Sequence, residues 1–210
     1  EEAARKMEVR LLDATCPLVK GIHRKAAELE AEGYSIVLIG KRSHREIEGV
    51  VGRLNHVPYV VENEDDVKRI PENPEHPLAC LTQTTLSVDD CAGLFELLKK
   101  RIPGIRICGG ICGATTARQR AVKQLAERCR TILVIGSVKS SNSRKLREVA
   151  ESCGAHALLI ASADELELSD LPDGDIGITS GASAPEHLLQ ETAARLEAAG
   201  WQMSLPHETE

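Results

Sequence analysis

Short runs of apolar, mostly β-branched residues alternate along this chain with longer stretches in which apolar residues recur every three or four positions. The short runs predict buried strands at Val9–Leu12, Ser35–Ile39, Tyr59–Val61, Leu78–Leu81, Ile105–Cys108, Thr131–Ile135, Ala157–Ile160 and Ile176–Thr179. The longer stretches predict helices at Leu18–Gly33, Glu48–Arg53, Asp65–Arg69, Val88–Lys100, Thr116–Arg128, Ser143–Ser152 and Pro185–Gly200. Because strands and helices alternate, the pattern predicts an α/β fold with parallel sheets and helices on their faces.

One unit of this pattern occurs twice. The first copy, residues 9–40, aligns over residues 105–136 without a gap, at a shift of 96 residues (112 − 16 = 96) that pairs Cys16 with Cys112. A repeat of this length predicts two tandem, similar α/β domains, at 15–104 and 105–200. The same shift also matches polar residues further along the chain: His44 with Ser140, Glu46 with Asn142, and Ser87 with Ser183.

The two ends indicate that the sequence is part of a longer protein. The first residue is Glu1 rather than Met, and we interpret residues 1–14 as the remnant of a missing N-terminal domain. Residues 201–210 are interpreted as the start of a truncated C-terminal tail.

Composition narrows the class of protein. Hydrophobic residues make up 42% of the chain and charged residues 28%, which is typical of soluble globular proteins. Aromatic residues, at 2%, are too few for base-stacking surfaces, and the net charge of −6 disfavours a general polyanion binder. No apolar run is long enough to span a bilayer, and no secretory signal is visible. We expect a cytoplasmic protein with reduced thiols and with no nucleic-acid or membrane partner.

Polar clusters follow the predicted strands. They lie at Asp13–Cys16, His44–Glu46, Thr82–Thr85, Cys112–Thr116, Ser137–Ser143 and Thr179–Ser183. Because ligands of open α/β sheets bind beyond the carboxyl ends of the strands, we expect one composite site between the two domains. The clusters around Ser140 and Ser183 precede predicted helices, whose N-termini favour phosphate. The alternative is that these serines are merely helix N-caps.

The seven cysteines divide by position. Cys16 and Cys112 each follow a predicted strand and precede a helix, where a thiolate is favoured, and we expect them to converge and hold a metal or cluster. The other five are interpreted as buried structural thiols: Cys80, Cys91, Cys108, Cys129 and Cys153. No C-x-x-C pair is present, which disfavours a zinc ribbon or a thioredoxin-type site. His44 and Glu46 are either surface residues or catalytic ones.

Six motifs stand in order along the chain: DATCPLV (13–19), HREIEG (44–49), TQTTLSVDD (82–90), ICGATTARQ (111–119), GSVKSSNS (136–143) and SGASAPE (180–186). Together they closely resemble the 4-hydroxy-3-methylbut-2-enyl diphosphate reductase family, over essentially all of residues 9–201. The resemblance implies three similar α/β domains in a trefoil around a central iron–sulfur cluster, of which this chain has the second and third. It also implies an oxidoreductase of isoprenoid biosynthesis by the methylerythritol phosphate route.

The resemblance implies roles for single residues. Cys16 and Cys112 match two of three cysteines that hold a 4Fe–4S cluster, and the third is absent from this chain. Glu46 matches the carboxylate that delivers a proton to the leaving hydroxyl, with His44 and Thr84 holding that hydroxyl. The residues that match substrate-binding positions are Thr115, Ser140, Ser141, Asn142 and Ser183. A ferredoxin- or flavodoxin-like donor supplies two electrons, which converts the allylic diphosphate into isopentenyl and dimethylallyl diphosphates.

Two other classes remain as alternatives. A non-catalytic diphosphate-binding or scaffold domain keeps the fold without the cluster, and we expect these 210 residues by themselves to be inactive. An unrelated phosphosugar- or nucleotide-binding α/β protein predicts a G-x-G-x-x-G fingerprint after the first strand, and the chain has none.

Overall fold

The computed structural model of the chain describes Lys6, Met7, Val9, Arg10 and residues 12–204. Its elements are, in order, α1 (Pro17–Ala31), β1 (Ser35–Ile39), α2 (Arg45–Val51), β2 (Tyr59–Val61), α3 (Glu64–Arg69), β3 (Leu78–Thr82), α4 (Val88–Arg101), β4 (Arg106–Ile107), α5 (Gly113–Arg128), β5 (Thr131–Ile135), α6 (Ser141–Ser152), β6 (His156–Ile160), β7 (Ile176–Ser180) and α7 (Glu186–Ala198). Two short 3₁₀ turns, Ala163–Glu165 and Leu168–Asp170, lie between β6 and β7. The prediction of an α/β fold with parallel sheets is confirmed.

The chain divides into two compact units. The first comprises the residues up to Thr84 together with Cys91–Gly110, and the second comprises Thr85–Asp90 and the residues from Ile111 onward. Among the helices of the described ranges, none combines the length and the apolar composition needed to cross a membrane.

The first unit is built on a parallel sheet with strand order β2-β1-β3-β4. Helix α1 starts with a proline, whose fixed φ suits the first helical turn. Its buried face has a helical spacing, with Ile22, Ala26 and Leu29 packed against the apolar side chains of β1 and β3. The helix ends at Ala31, and Gly33, just beyond its C-cap residue Glu32, has a φ of 88° that is favourable only for glycine. The chain then turns directly into β1.

The second unit has a parallel sheet with strand order β6-β5-β7. Its central strand is buried on both faces, as expected of a parallel strand covered by helices on each side. Ile132 and Val134 pack on one face with apolar residues of α5 and α6. Leu133 and Ile135 pack on the other face with Leu196 of α7 and its neighbours.

The segment Thr85–Asp90 is held by side chains of the second unit. Gln119 of α5 donates from Nε2 to the carbonyl oxygen of Leu86 at 3.1 Å. Lys123, one helical turn later, pairs with Asp89 through atoms 2.5 Å apart. Gln119 and Lys123 are four residues apart in the sequence, so they lie on the same face of α5.

The repeat is visible in the elements as well as in the sequence. The starts of α1 and α5 differ by 96 residues (113 − 17 = 96), and β1 and β5, and α2 and α6, differ by the same number. The shift then changes: Gln83 donates its backbone N–H to Ile39, and Gly181 donates to Ile135, so these two residues are 98 apart (181 − 83 = 98). The predicted equivalence of Ser87 and Ser183 is therefore wrong, because the second unit has two more residues before this point.

The predicted strand at Val9–Leu12 is also wrong where the structure describes it. Val9, Arg10 and Leu12 have no regular structure, and Leu11 lies outside the described residues. Val9 and Leu12 are 54% and 79% exposed; an apolar run forms a strand only where a sheet neighbour supplies hydrogen bonds and cover. The interpretations of residues 1–14 and 201–210 as remnants fall largely outside the described ranges.

Candidate functional site

Glu46 stands in the first turn of α2, just beyond the end of β1. The helix starts at Arg45 rather than at the predicted Glu48, because His44 acts as its N-cap residue. The Nδ1 atom of His44 accepts the backbone N–H of Glu46 at 3.2 Å. Since this bond engages a free N–H group of the helix start, it fixes the orientation of the residue that carries the carboxyl.

The carboxyl of Glu46 is buried and has two hydrogen bonds from one residue. The backbone N–H of Thr84 donates to Oε1 at 2.9 Å, and the Thr84 hydroxyl donates to Oε2 at 2.8 Å. Burial raises the pKa of Glu46, although the two bonds from Thr84 oppose that shift. A carboxyl with a raised pKa and a fixed position has the properties of a proton donor.

His23 and Gly49 support this arrangement from behind, and sequence reasoning did not identify either. The ring of His23, on α1, hydrogen-bonds the main chain of Glu46, and burial followed by the charge of Arg53 lowers its pKa. A Cβ at Gly49 would lie 3.0 Å from Nε2 of His23, so only glycine lets the ring pack this closely. A glycine inside a predicted helix is the signal that points to such a close approach.

Gln83 joins the loops that follow β1 and β3, and it was missed as well. Its Oε1 accepts the backbone N–H of Lys41 at 3.1 Å, while its own N–H donates to Ile39 at 2.8 Å. These bonds tie the residue before Thr84 to the loop that leads into α2. The first unit therefore brings together His44, Glu46 and Thr84. Their catalytic role stays a prediction.

In the second unit, Ser140 is the N-cap residue of α6, which extends from Ser141. Its Oγ accepts the backbone N–H of Ser143 at 3.3 Å, so the capping interpretation holds for this serine. Ser141 accepts a hydrogen bond from Arg144 at 3.4 Å. The remaining free N–H groups and the positive end of the helix dipole are features that favour an anion.

Asn142 is buried, with 6% exposure, and its amide differs from the other polar groups of this helix start. Neither Nδ2 nor Oδ1 has a hydrogen-bond partner within the described part of the chain. A buried polar group without a partner costs about 1–3 kcal/mol. An amide left in this state next to a helix N-terminus is suited to a ligand that supplies both missing bonds.

Ser183 and Thr115 complete the predicted substrate-binding set. Ser183 is exposed, in the turn closed by the N–H of Ala184 donating to the carbonyl of Gly181 at 2.9 Å. It does not cap α7, because Pro185 is the N-cap residue of that helix. Thr115 lies in the first turn of α5 and is buried.

Cys16 and Cys112 occupy equivalent positions, as N-cap residues of α1 and α5. Neither side chain makes a capping hydrogen bond, so neither thiol is engaged by the helix that it precedes. The loop before Cys16 is held by Asp13, whose carboxylate pairs with Lys20 at 2.6 Å and accepts the N–H of Thr15 at 3.0 Å. These bonds lower the pKa of Asp13.

Thiolates are the usual ligands of iron–sulfur clusters, and Cys16 and Cys112 have the chemistry of two such ligands. Within the described ranges, no group of three or more His, Cys, Asp or Glu side chains is arranged to hold a metal ion. The residues present therefore fit part of a ligand set.

The other cysteines follow the prediction only in part. Cys80 and Cys91 are buried, and burial raises the pKa of the Cys80 thiol. Cys108 and Cys129 are only half-buried, and Cys153 is exposed at the end of α6. The interpretation as buried structural thiols is thus wrong for Cys153, because its cap position places it beyond the packed face of the helix.

Comparison with known proteins identifies the family. The family model described as LytB protein matches residues 1–197. A 4-hydroxy-3-methylbut-2-enyl diphosphate reductase of Alcanivorax borkumensis is 44% identical over 209 residues, which cover 95% of this chain and 67% of that protein. The reductase of the same name from Nitrosomonas europaea is 45% identical over 205 residues, which cover 94% of this chain and 62% of the relative.

Solved structures agree with the sequence relatives. The E-1-hydroxy-2-methyl-but-2-enyl-4-diphosphate reductase of Plasmodium falciparum matches with a TM-score of 0.87 at 37% identity, covering 93% of this chain and 62% of that structure. The chain thus spans about two thirds of the length of its relatives. The resemblance inferred from the six motifs is confirmed, and the chain belongs to the LytB protein family.

Proposed function

We propose that the protein containing this chain reduces 4-hydroxy-3-methylbut-2-enyl diphosphate to isopentenyl and dimethylallyl diphosphates. In this reaction the allylic C–O bond breaks, two electrons and one proton go to the carbon fragment, and a second proton leaves with the hydroxyl as water. The names of the relatives support the reaction. The observation that carries the assignment to this chain is the buried carboxyl of Glu46, held by Thr84 with a raised pKa.

Glu46 is the proton donor in this proposal. Its raised pKa keeps the acid form populated at a higher pH than in an ordinary glutamate. Thr84 holds both carboxyl oxygens, and His44 fixes the main chain of Glu46, so the proton is held at a defined place. Positioning of this kind is what makes a general acid effective.

The diphosphate group is assigned to the second unit. Asn142 offers an amide that has no other partner among the described residues, and the first turn of α6 offers N–H groups and a positive dipole end. The further residues of this assignment are Ser140, Ser141 and Ser183, whereas Thr115 is assigned to the pocket that holds the substrate hydroxyl. None of these side chains carries charge, so their contribution to the binding free energy comes from hydrogen bonds and the helix dipole.

Cys16 and Cys112 are assigned as two thiolate ligands of a 4Fe–4S cluster, with the third ligand outside this chain. When bound, the cluster supplies the two electrons and Lewis acidity toward the substrate hydroxyl. The electrons come from a ferredoxin- or flavodoxin-like donor in this proposal. All seven cysteines are free thiols, which fits a reducing compartment such as the cytoplasm.

The substitution Glu46→Gln in the full-length protein tests this function. Gln keeps the shape and its Oε1 still accepts from the Thr84 N–H, while its Nε2 can donate to the Thr84 hydroxyl in place of the present bond. It has no acidic proton, so dithionite-driven kcat should fall by about 10²–10⁴-fold with little change in KM. Glu48→Gln is the matched control, because Glu48 is exposed on the same helix and loses the same charge. A near-normal kcat for Glu46→Gln would remove this residue from the mechanism.

Stability measurements separate loss of the proton from loss of structure. Because the folded pKa of Glu46 is raised, burial of the carboxylate lowers stability increasingly as pH rises from its ordinary value of 4.5 through the folded pKa. Glu46→Gln has no such penalty, so its free energy of unfolding should equal or exceed that of the wild type at neutral pH. An inactive variant that is also less stable at neutral pH would indicate a structural role for Glu46.

A further inference from the structure

Ser143 is fully buried in the first turn of α6, and its hydroxyl has no hydrogen-bond partner within the described ranges. Two glycines lie against it. A Cβ on either Gly136 or Gly181 would overlap the Ser143 hydroxyl, and would lie 3.0 Å and 3.3 Å, respectively, from the Ser143 Cβ. The hydroxyl oxygen is therefore the atom that separates the two glycine backbones.

Both glycines begin loops that carry residues of the proposed diphosphate site. Gly136 follows β5 and donates to the carbonyl of Ile160 at 2.8 Å, and its loop leads to Ser140. Gly181 follows β7 and donates to Ile135 at 2.8 Å, and its turn carries Ser183. The distance between these loops depends on what fills the gap between their first residues.

The first unit fills the equivalent gap differently. Ile47, 96 positions before Ser143, lies against Gly40: a Cβ there would be 2.6 Å from Cδ1 of Ile47 and 3.0 Å from the Cβ of Gln83. The first unit thus has a large apolar side chain and only one glycine at this place. The second unit has a hydroxymethyl group and two glycines, which allows a closer approach of its loops.

We propose that Ser143 is a positioning residue of the diphosphate site, whose hydroxyl oxygen sets the spacing between the loops that carry Ser140 and Ser183. The inference rests on the proposed binding of diphosphate by this unit. It goes further because Ser143, whose hydroxyl lies between the two glycines, is assigned no contact with the ligand. Asn142, the adjacent residue, has its Nδ2 atom 3.6 Å from where a Cβ of Gly181 would be, so the same spacing also determines the position of the amide.

The cost in stability of burying the Ser143 hydroxyl supports a functional role for this residue. A buried hydroxyl without a partner lowers stability by about 1–3 kcal/mol. Alanine at this position would avoid that cost and would suit a helix better. A group that lowers stability next to a binding site is typical of the trade-off between stability and function.

The test compares a shorter and a longer side chain in the full-length protein. Binding of inorganic diphosphate, measured by calorimetry, should weaken about tenfold in both Ser143→Ala and Ser143→Thr, because either change alters the loop spacing. Thermal unfolding should separate the two variants. Ser143→Ala should be as stable as the wild type or more stable, and Ser143→Thr should be less stable, because its extra methyl overpacks the glycines.

The control is Leu146→Val, which removes one methylene from the buried face of the same helix. It should lower stability by about 1 kcal/mol and leave the affinity for inorganic diphosphate unchanged. In turnover assays, both Ser143 variants should raise KM with kcat within about twofold of wild type.

Unchanged affinity in Ser143→Ala would overturn the inference, as would a fall in kcat without a rise in KM. Failure of the wild-type protein itself to bind inorganic diphosphate would instead overturn the assignment of diphosphate to this unit. The two failures are therefore distinguishable. If Ser143→Thr does not fold, the result for Ser143→Ala still decides the matter.

Discussion

The helices that follow β1 and β5 begin at equivalent positions, and their first turns carry Glu46 in the first unit and Asn142 in the second. Both side chains are buried to nearly the same extent. The carboxyl of Glu46 receives two hydrogen bonds from Thr84, whereas the amide of Asn142 receives none from the residues that the structure describes. The same backbone arrangement thus carries a hydrogen-bonded carboxyl in the first unit and, in the second, an amide without a partner among the described residues.

The packing behind Glu46 also differs from the packing behind Asn142. Ile47 fills the space behind Glu46 with an apolar side chain, and Gln83 adds hydrogen bonds between the neighbouring loops. Ser143 and two glycines occupy the corresponding place behind Asn142. The first unit thus stabilises its own functional group by hydrogen bonds, whereas the second leaves a buried amide without a partner among the described residues. This division matches an acid in one unit and a ligand site in the other.

The largest effect is expected when the second unit is made to resemble the first. Asn142→Asp introduces a carboxylate where we place the diphosphate, and repulsion in a buried environment should raise KM by about 100-fold or more. Asn142→Ala is the neutral control and should raise KM by about tenfold, since only hydrogen bonds are lost. Steady-state kinetics of the full-length protein measure both. If the Asp variant is no worse than the Ala variant, the anion is bound elsewhere.

A smaller effect is expected when the first unit is made less complete. Thr84→Val removes the hydroxyl that donates to Glu46, while the backbone N–H of residue 84 remains. Because that hydroxyl lowers the pKa of Glu46, its loss should raise the pKa further. The alkaline limb of the kcat profile should then move to higher pH, and kcat should fall about tenfold because the acid is less well positioned.

Thr84→Ser keeps the hydroxyl and is the matched control for this measurement. Its pH profile should coincide with that of the wild type. Should Thr84→Val also leave the profile where it is, the protonation of Glu46 does not limit turnover.

The smallest effect concerns the support behind Glu46. Gly49→Ala places a methyl group 3.0 Å from Nε2 of His23, so the ring or α2 must move, and we expect a loss of about 1 kcal/mol in the free energy of unfolding. Gly93→Ala is the control, because its added Cβ would have no described atom within 4 Å apart from its chain neighbours and the backbone of its own helix. Gly93 lies inside α4, where alanine should stabilise by about 0.5–1 kcal/mol. Denaturant unfolding of both variants measures the difference, and two variants of equal stability would show that His23 yields at no cost.

Many of the strands could be predicted from local sequence patterns. The bounds of β1, β2 and β5 agree with the apolar runs that predicted them, because each run lies in a sheet and is closed by polar or glycine residues. Val9–Leu12 carried the same kind of pattern and formed no strand where it is described. A local pattern specifies what a segment can bury, and only a neighbouring strand decides whether it is buried.

The residue types at the helix starts, and with them the family, were determined by the sequence alone. Cys16 and Cys112 are N-cap residues, as their positions before predicted helices indicated, and Ser140 is one according to the capping alternative. His44 was not predicted to be a cap, because the helical pattern was placed three residues too late, at Glu48. Capping depends on residues within one turn, so it is encoded locally. The change of the repeat shift from 96 to 98 is not encoded locally, because it depends on which residues of neighbouring strands lie next to each other.

Only the tertiary structure decided how the polar groups are satisfied. The bond from Thr84 to Glu46 joins residues 38 positions apart, and the contacts of His23 with α2 and of Ser143 with two glycines likewise connect separate segments. Such contacts depend on strand register and on packing distances of a few tenths of an ångström. A sequence pattern specifies neither, which is why it identified Glu46 and Asn142 as a matched pair without showing that one is satisfied and the other is not.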